Sequence, residues 1–257
     1  MKLNMKYIGL FSLGFILSAA IVLFSCQKEK SNKAQEVVDR AIKTNGANLF
    51  ASKKVSFTFR NKDYSAKRLN GDYIYTRTFE DSTGVIEDQL INSSSFSRKL
   101  NNAEVSLTEE WQGRYGNSVN SVLYFVEILY RLNDAAVNKS YEGTETIKGQ
   151  SYHVIKVTFG QQNGGEDFQD EYRYWIHEED FTLDYLAYNY LTDGGGVRFR
   201  EAYDREVIGG ITFQNYVNLK PASKETPLSE LGRLYEKGEL EKLSYIVNDN
   251  IKVVDQL

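Results

Sequence analysis

Cys26 is the only cysteine in the chain, and its neighbours define the chemistry open to it. Lys2 and Lys6 open the sequence, an apolar run extends from residue 7 to residue 24, and Leu23-Phe24-Ser25 lead into the cysteine. A basic start, an apolar middle and a small residue just before a cysteine is the layout on which a thiol is alkylated by a diacylglyceryl group and becomes the first residue after cleavage. A lone free thiol would be a reactive leftover in an oxidising compartment, and a thioether removes that problem. One acyl chain anchors only marginally, at about 0.8 kcal/mol per buried methylene, so stable attachment needs the two or three chains that lipidation supplies. An uncleaved membrane anchor competes with this reading, because about 18 apolar residues is the lower limit for spanning hydrocarbon. Gly9, Ser12, Gly14 and Ser18 dilute the run and argue against it. In both cases the two lysines stay cytoplasmic and everything after Cys26 is exported.

No other segment carries a comparable signature. His153 and His177 are the only histidines, each within an alternating stretch and neither with a second ligand at metal spacing, so a triad or a histidine zinc site is not indicated. Gly-x-Ser-x-Gly, His-Glu-x-x-His and Walker loops are absent from the sequence. Glu166, Asp167, Asp170 and Glu171 crowd four carboxylates into six residues. Hard oxygen ligands of this kind hold calcium, but the spacing matches no EF-hand, and a solvated acidic turn is the preferred reading. Asp193-Gly194-Gly195-Gly196 either lets a ligand approach the backbone or is a loop that needs positive φ, and the second is preferred. The 35 acids offer many pairs for glycoside hydrolysis, and no spacing singles one out. The expectation is therefore no catalytic residue, no metal and no cofactor.

Composition narrows the class. Lys2 and Lys6 are the leader's only charges, so its removal takes the net charge from −4 to −6. An acidic exported body argues against nucleic acid as a partner. Without a cysteine pair the fold must rest on a core, and about 230 residues are enough to build one. Eighteen Tyr and fourteen Phe against two prolines is the profile of extended antiparallel strands.

The elements follow from periodicity. Asn32 with Gln35 reads as a capping box, Ala34, Val37, Val38, Ala41 and Ile42 form a helical stripe, and Gly46 is a stop, giving a helix over 32–46. From Lys53 to residue 107 the period is two, with five or six strands punctuated at Gly71, Asp81-Ser82-Thr83-Gly84 and Asn101-Asn102. Thr108 caps a short helix to Arg114, and after Gly116-Asn117-Ser118 a second runs over 119–132. In it Val122, Leu123, Val126, Leu129 and Tyr130 are helically spaced and Phe125 and Ile128 widen the stripe, so this helix is buried or covers a cavity. Strands resume near Ser140 and continue, through turns at Lys148-Gly149 and Gly209-Gly210, to residue 219; a short helix starts at Pro227 and a last strand covers 240–254. Tyr172 and Tyr174 face opposite Trp175, and Tyr185 opposite Tyr188 and Tyr190, so both faces of these strands carry rings.

Strands that follow strands through tight turns exclude βαβ architectures. The fold class is α+β, mainly antiparallel β: a single curved sheet or incomplete β-barrel of about 11 strands, with about three helices in or over its concave face. The organisation is 1–25 signal peptide, 26–31 tether and 32–257 a single open-barrel domain; two sandwich domains joined near residue 135 are the alternative. The candidate lining of a hydrophobic cavity is Val122, Leu123, Phe125, Val126, Leu129 and Tyr130; a sheet buried on both sides without a void is the competing picture.

The stretches 117–125, 132–139 and 188–203 resemble a Bacteroidota lipoprotein family of unknown function. That resemblance brings no catalytic residue with it. More distantly, the layout is similar to the lipoprotein-carrier superfamily of LolA, LolB and RseB, in which an incomplete antiparallel barrel closed by helices holds acyl chains. Gln27-Lys28-Glu29-Lys30 resembles in part the charged signal that sends Bacteroidota lipoproteins to the cell surface, or is a plain solvated tether. The expected protein is an outer-membrane lipoprotein, periplasmic or surface-exposed. Its expected partners are the membrane through lipidated Cys26, the lipoprotein-processing machinery and a lipid or other small hydrophobic ligand. A carboxylate-based envelope hydrolase and an accessory subunit of an envelope complex are the alternatives.

Overall fold

The computed structural model describes residues 29–160, 170–191 and 194–256. Pairs of consecutive residues with positive φ, at Arg60-Asn61, Asn70-Gly71, Asn101-Asn102, Lys148-Gly149 and Gly209-Gly210, make the connections between neighbouring strands. Two left-handed residues in a row form the hairpin turn whose twist matches the strands it joins. The result is an up-and-down succession of antiparallel strands.

In chain order the elements are α1 (29–44), a 3-10 turn Ala47–Ala51, β1 Lys53–Phe59, β2 Lys62–Leu69, β3 Asp72–Asp81, β4 Gly84–Ile91, β5 Ser95–Leu100 and β6 Ala103–Glu104. Then come α2 Glu109–Val126, α3 Ile128–Arg131, β7 Val137–Ile147, β8 Gln150–Phe159, β9 Tyr172–His177, β10 Leu183–Tyr190, β11 Gly196–Ile208 and β12 Ile211–Lys220. A 3-10 turn Leu228–Glu230, α4 Leu231–Glu236, β13 Glu241–Ile246 and β14 Asp249–Asp255 follow. The strands form two seven-stranded antiparallel sheets, ordered β14-β1-β2-β3-β4-β5-β6 and β13-β12-β11-β10-β9-β8-β7. Consecutive β13 and β14 each take an edge of a different sheet, so Val247-Asn248 stitches the two into one open surface that does not close into a barrel.

The first sheet is buried on one face. Val55 and Phe57, Tyr64 and Ala66, Tyr75 and Arg77, and Ile86, Asp88 and Leu90 alternate with solvated neighbours. The second sheet is buried on both faces at its centre. Ile155, Val157, Tyr174, Ile176 and Leu186 point inward to the core shared with α1, α2 and α3, whereas Val154, Trp175, Tyr185 and Phe199 point outward beneath α4. Gly232 lets α4 sit that close: a Cβ there would lie 3.0 Å from a Glu145 carboxylate oxygen and 3.3 Å from Ile147.

Three boundaries differ from the sequence reading. The helix expected to stop before Gly116 continues, because Gly116 is a packing glycine: a Cβ there would already touch Leu90 at 3.4 Å and Phe96 at 3.7 Å. The break falls instead at Glu127, eleven residues on. The segment 240–254 is two strands rather than one, which with the full set of hairpins brings the described strands to fourteen. The first helix starts by residue 29, so Asn32 lies inside it. It does end at Asn45-Gly46, where Gly46 takes φ 64° and a Cβ would come within 1.8 Å of the Gly210 carbonyl oxygen.

Candidate functional site

The helix α2 is placed by its two ends. At the start, the Thr108 hydroxyl accepts from the Trp111 amide at 3.4 Å, and Glu109 and Glu110 complement the positive end of the helix dipole. At the other end, Glu127 is wholly buried and takes both arms of the Arg68 guanidinium at 2.6 Å, with the Tyr75 hydroxyl donating at 2.6 Å. This anchors the end of α2 to β2 and β3, and the chain turns at Glu127 into α3. A second buried carboxylate, Asp88, bonds Arg77 and Arg98 and lies under the middle of α2, where Arg77 also donates to Ser118.

Between the first sheet, α2–α3 and the edge of the second sheet lies a cleft of about 1050 Å³. That is the size of a small-molecule or lipid site. Its apolar lining is aromatic and aliphatic: Leu90, Phe96, Tyr124, Phe125, Phe159 and Tyr172. Tyr172 is the hub, with ring centres 5.3 Å from Tyr188, 5.7 Å from Phe159 and 6.2 Å from Tyr124. Burial pushes the Tyr172 and Tyr124 phenols up, so both stay protonated. Neutral polar side chains line it as well: Asn92, Ser93, Gln112, Asn117, Asn120 and Ser121. At one end Arg131 pairs with Asp134 at 2.8 Å and stacks on Tyr73, and burial raises the Asp134 carboxyl against the pull of Arg131. Behind the aromatic lining is a smaller cavity of about 40 Å³, bounded by Phe50, Val126, Ile128, Leu129 and Phe213. Phe125 lines both spaces.

Of the residues singled out from sequence, Phe125 and Tyr130 line the cleft, and Phe125, Val126 and Leu129 line the inner cavity. Leu123 is fully buried in the core with Val122 packed against it, and neither lines these two spaces. Cys26 lies outside the described residues, as do Glu166, Asp167 and Asp193. Among the described residues no group of three or more His, Cys, Asp and Glu is arranged to hold a metal. Glu171 pairs with Lys156 at 2.5 Å. Gly194 and Gly195 have φ 84° and 74°, the left-handed backbone that their loop requires.

His153 is buried against Phe181, with the Tyr141 hydroxyl at 3.3 Å; burial lowers its pKa, so it is held neutral. His177 contacts Gln150 and Asp180. Both oxygens of Glu127 and of Asp88 are taken up by arginine, which leaves neither free for acid or base work. The polar lining and the Arg131–Asp134 end were not picked out in the sequence, where Gly116-Asn117-Ser118 read as a break between two helices. The rings on both faces around Tyr172 and the apolar stripe of 119–132, through Phe125 and Tyr130, were the signals that pointed to this place.

The fold is similar to that of a LolA superfamily protein from Nitrosomonas europaea, with a TM-score of 0.50, 12% identity, and coverage of 87% of this chain and 94% of that one. At that identity the likeness is one of fold. A DUF1329 family protein from Desulfovibrio piger gives a TM-score of 0.48 at 9% identity, over 85% of this chain and 92% of that one. The chain belongs to DUF6503, a family of unknown function, whose model matches residues 13–248. No curated protein matches the sequence.

Proposed function

We propose that this chain is a membrane-anchored envelope lipoprotein that holds a lipid or other hydrophobic ligand in the cleft under α2. The observation that carries the reading is the cleft itself: about 1050 Å³, lined in part by Phe125, Tyr124, Tyr172 and Phe159. These rings pack on one another through Tyr172 and also border the cleft, a space of the size that an acyl chain fills. The fold shared with a LolA superfamily protein supports carriage as the use of such a space.

Attachment runs through Cys26 after removal of 1–25, with the residues that follow as the lead into the 32–257 body, at the outer membrane of a Bacteroidota-type envelope. Among the described residues no helix is long and apolar enough to cross a membrane. Native mass spectrometry of the chain after mild extraction tests the carriage reading: a co-purifying lipid of defined mass is expected, and a chain that neither carries nor takes up lipid overturns it. Labelling cells with an alkynyl palmitate tests the anchor. Cys26→Ala should lose both the label and the membrane fraction; a variant that keeps both refutes attachment at Cys26.

A further inference from the structure

Arg200 is a buried guanidinium without a carboxylate among the described residues. It lies on the inner face of β11 and is 7% exposed. Its Nη2 donates to the Tyr188 hydroxyl at 2.9 Å, and its Nε has no acceptor. The other inward arginines contrast with it: Arg68 is neutralised by Glu127, and Arg77 and Arg98 by Asp88. Arg200 is instead covered by rings, with Phe125 3.6 Å from the guanidinium carbon and Tyr188 and Tyr216 at 5.2 and 5.9 Å. Ring faces attract a cation but do not replace an anionic acceptor for an orphaned N–H. With no carboxylate beside it among the described residues, this buried charge works against folding, and a position of this kind fits a ligand better than it fits the core.

The route to it is one side chain deep. Phe125 is the ring that covers Arg200, and it also lines both the open cleft and the cavity behind it. Arg200 itself lines neither space, so a group in the cleft reaches the guanidinium only if that ring moves aside. Arg131, at the cleft's polar end, already pairs with Asp134. We infer that the ligand is an amphiphile with a single anionic headgroup, carboxylate or phosphate, which enters head first and pairs with Arg200 while its tail lies along the aromatic lining. The inference rests on the carriage reading above and adds the charge and orientation of what is carried.

The test uses the full chain in phosphatidylcholine nanodiscs, titrated with palmitate, hexadecyl phosphate and methyl palmitate and read by native mass spectrometry. At least one of the two anions should bind about tenfold or more tighter than the neutral ester, since a charge-assisted pair is at stake, and which anion wins separates carboxylate from phosphate. Arg200→Gln should bring the anion to within about twofold of the ester and leave the ester unchanged, while Arg200→Lys should keep part of the preference. Wild-type protein that binds ester and anions alike overturns the inference, as does a preference that survives Arg200→Gln. If none of the three binds, the carriage reading fails with it. Melting temperature gives an independent reading should a variant fold poorly: Arg200→Gln should be at least as stable as wild type, and a clear loss of stability marks Arg200 as a structural residue and overturns its assignment to the ligand.

Discussion

The two sheets have equal strand numbers and opposite burial. In the first, β1–β4 alternate strictly, one residue in and one out, and the outer face carries solvated side chains such as Val85, which is 40% exposed. In the second, β9 is buried along five consecutive residues, because α4 seals the face that α1–α3 leave open. A sheet packed on both sides is held through two sets of side chains, and one packed on a single side through one. The cleft lies where the first sheet and α2 meet the second. The second sheet, buried on both faces, carries Tyr172 and Arg200.

This contrast can be broken at its strongest point first. Trp175 is fully buried in the second sheet, its indole N–H donating to Glu145 at 2.7 Å. Trp175→Ala should cost about 4 kcal/mol, seen as a lower urea midpoint, and a cost below about 1 kcal/mol would mean that α4 does not seal that face. Glu127→Ala leaves Arg68 without its acid and should cost about 3 kcal/mol. Because Glu127 also sets the end of α2, hydrogen exchange should rise in α2 and α3 while β8–β10 stay protected.

A smaller effect is expected from acid. Burial, aided by Lys33 and opposed by Glu178, lowers the His153 pKa, so the unfolded chain takes up a proton before the folded one does. The stability from holding this histidine neutral is fully present above about pH 6.5 and is lost as pH falls from there toward the folded-state pKa. Urea midpoints at pH 7.5 and 5.5 should differ less in His153→Gln than in wild type, and equal slopes would remove His153 from the account. The smallest effect belongs to the outer face of the first sheet: Val85→Thr should change stability by less than about 0.5 kcal/mol, and a larger loss would show that something covers this face.

The same contrast explains what the sequence disclosed. Period-two strands, their turns and the two-faced rings around Tyr172 were legible because each is a local pattern. Gly116 was misleading because its reason is tertiary: it lets α2 approach Leu90 and Phe96. Glu127 was not picked out within its apolar helical stripe, since its partners Arg68 and Tyr75 lie 59 and 52 residues away. Arg200 was invisible for the converse reason. An arginine in an alternating strand is ordinary until the packed inner face shows no acid beside it among the described residues.

The stitch between the sheets bears on how the chain reaches this state. β14 completes the first sheet by pairing with β1, and Lys53 meets Asp255 across 202 residues of sequence. Until β14 has been synthesised, β1 has an open edge with unpaired amides, the kind of edge along which chains join one another. Closing so long a loop is slow, because its entropy must be spent before the contact returns anything. Shielding of β1 during that interval thus becomes a matter of biogenesis rather than of the finished fold.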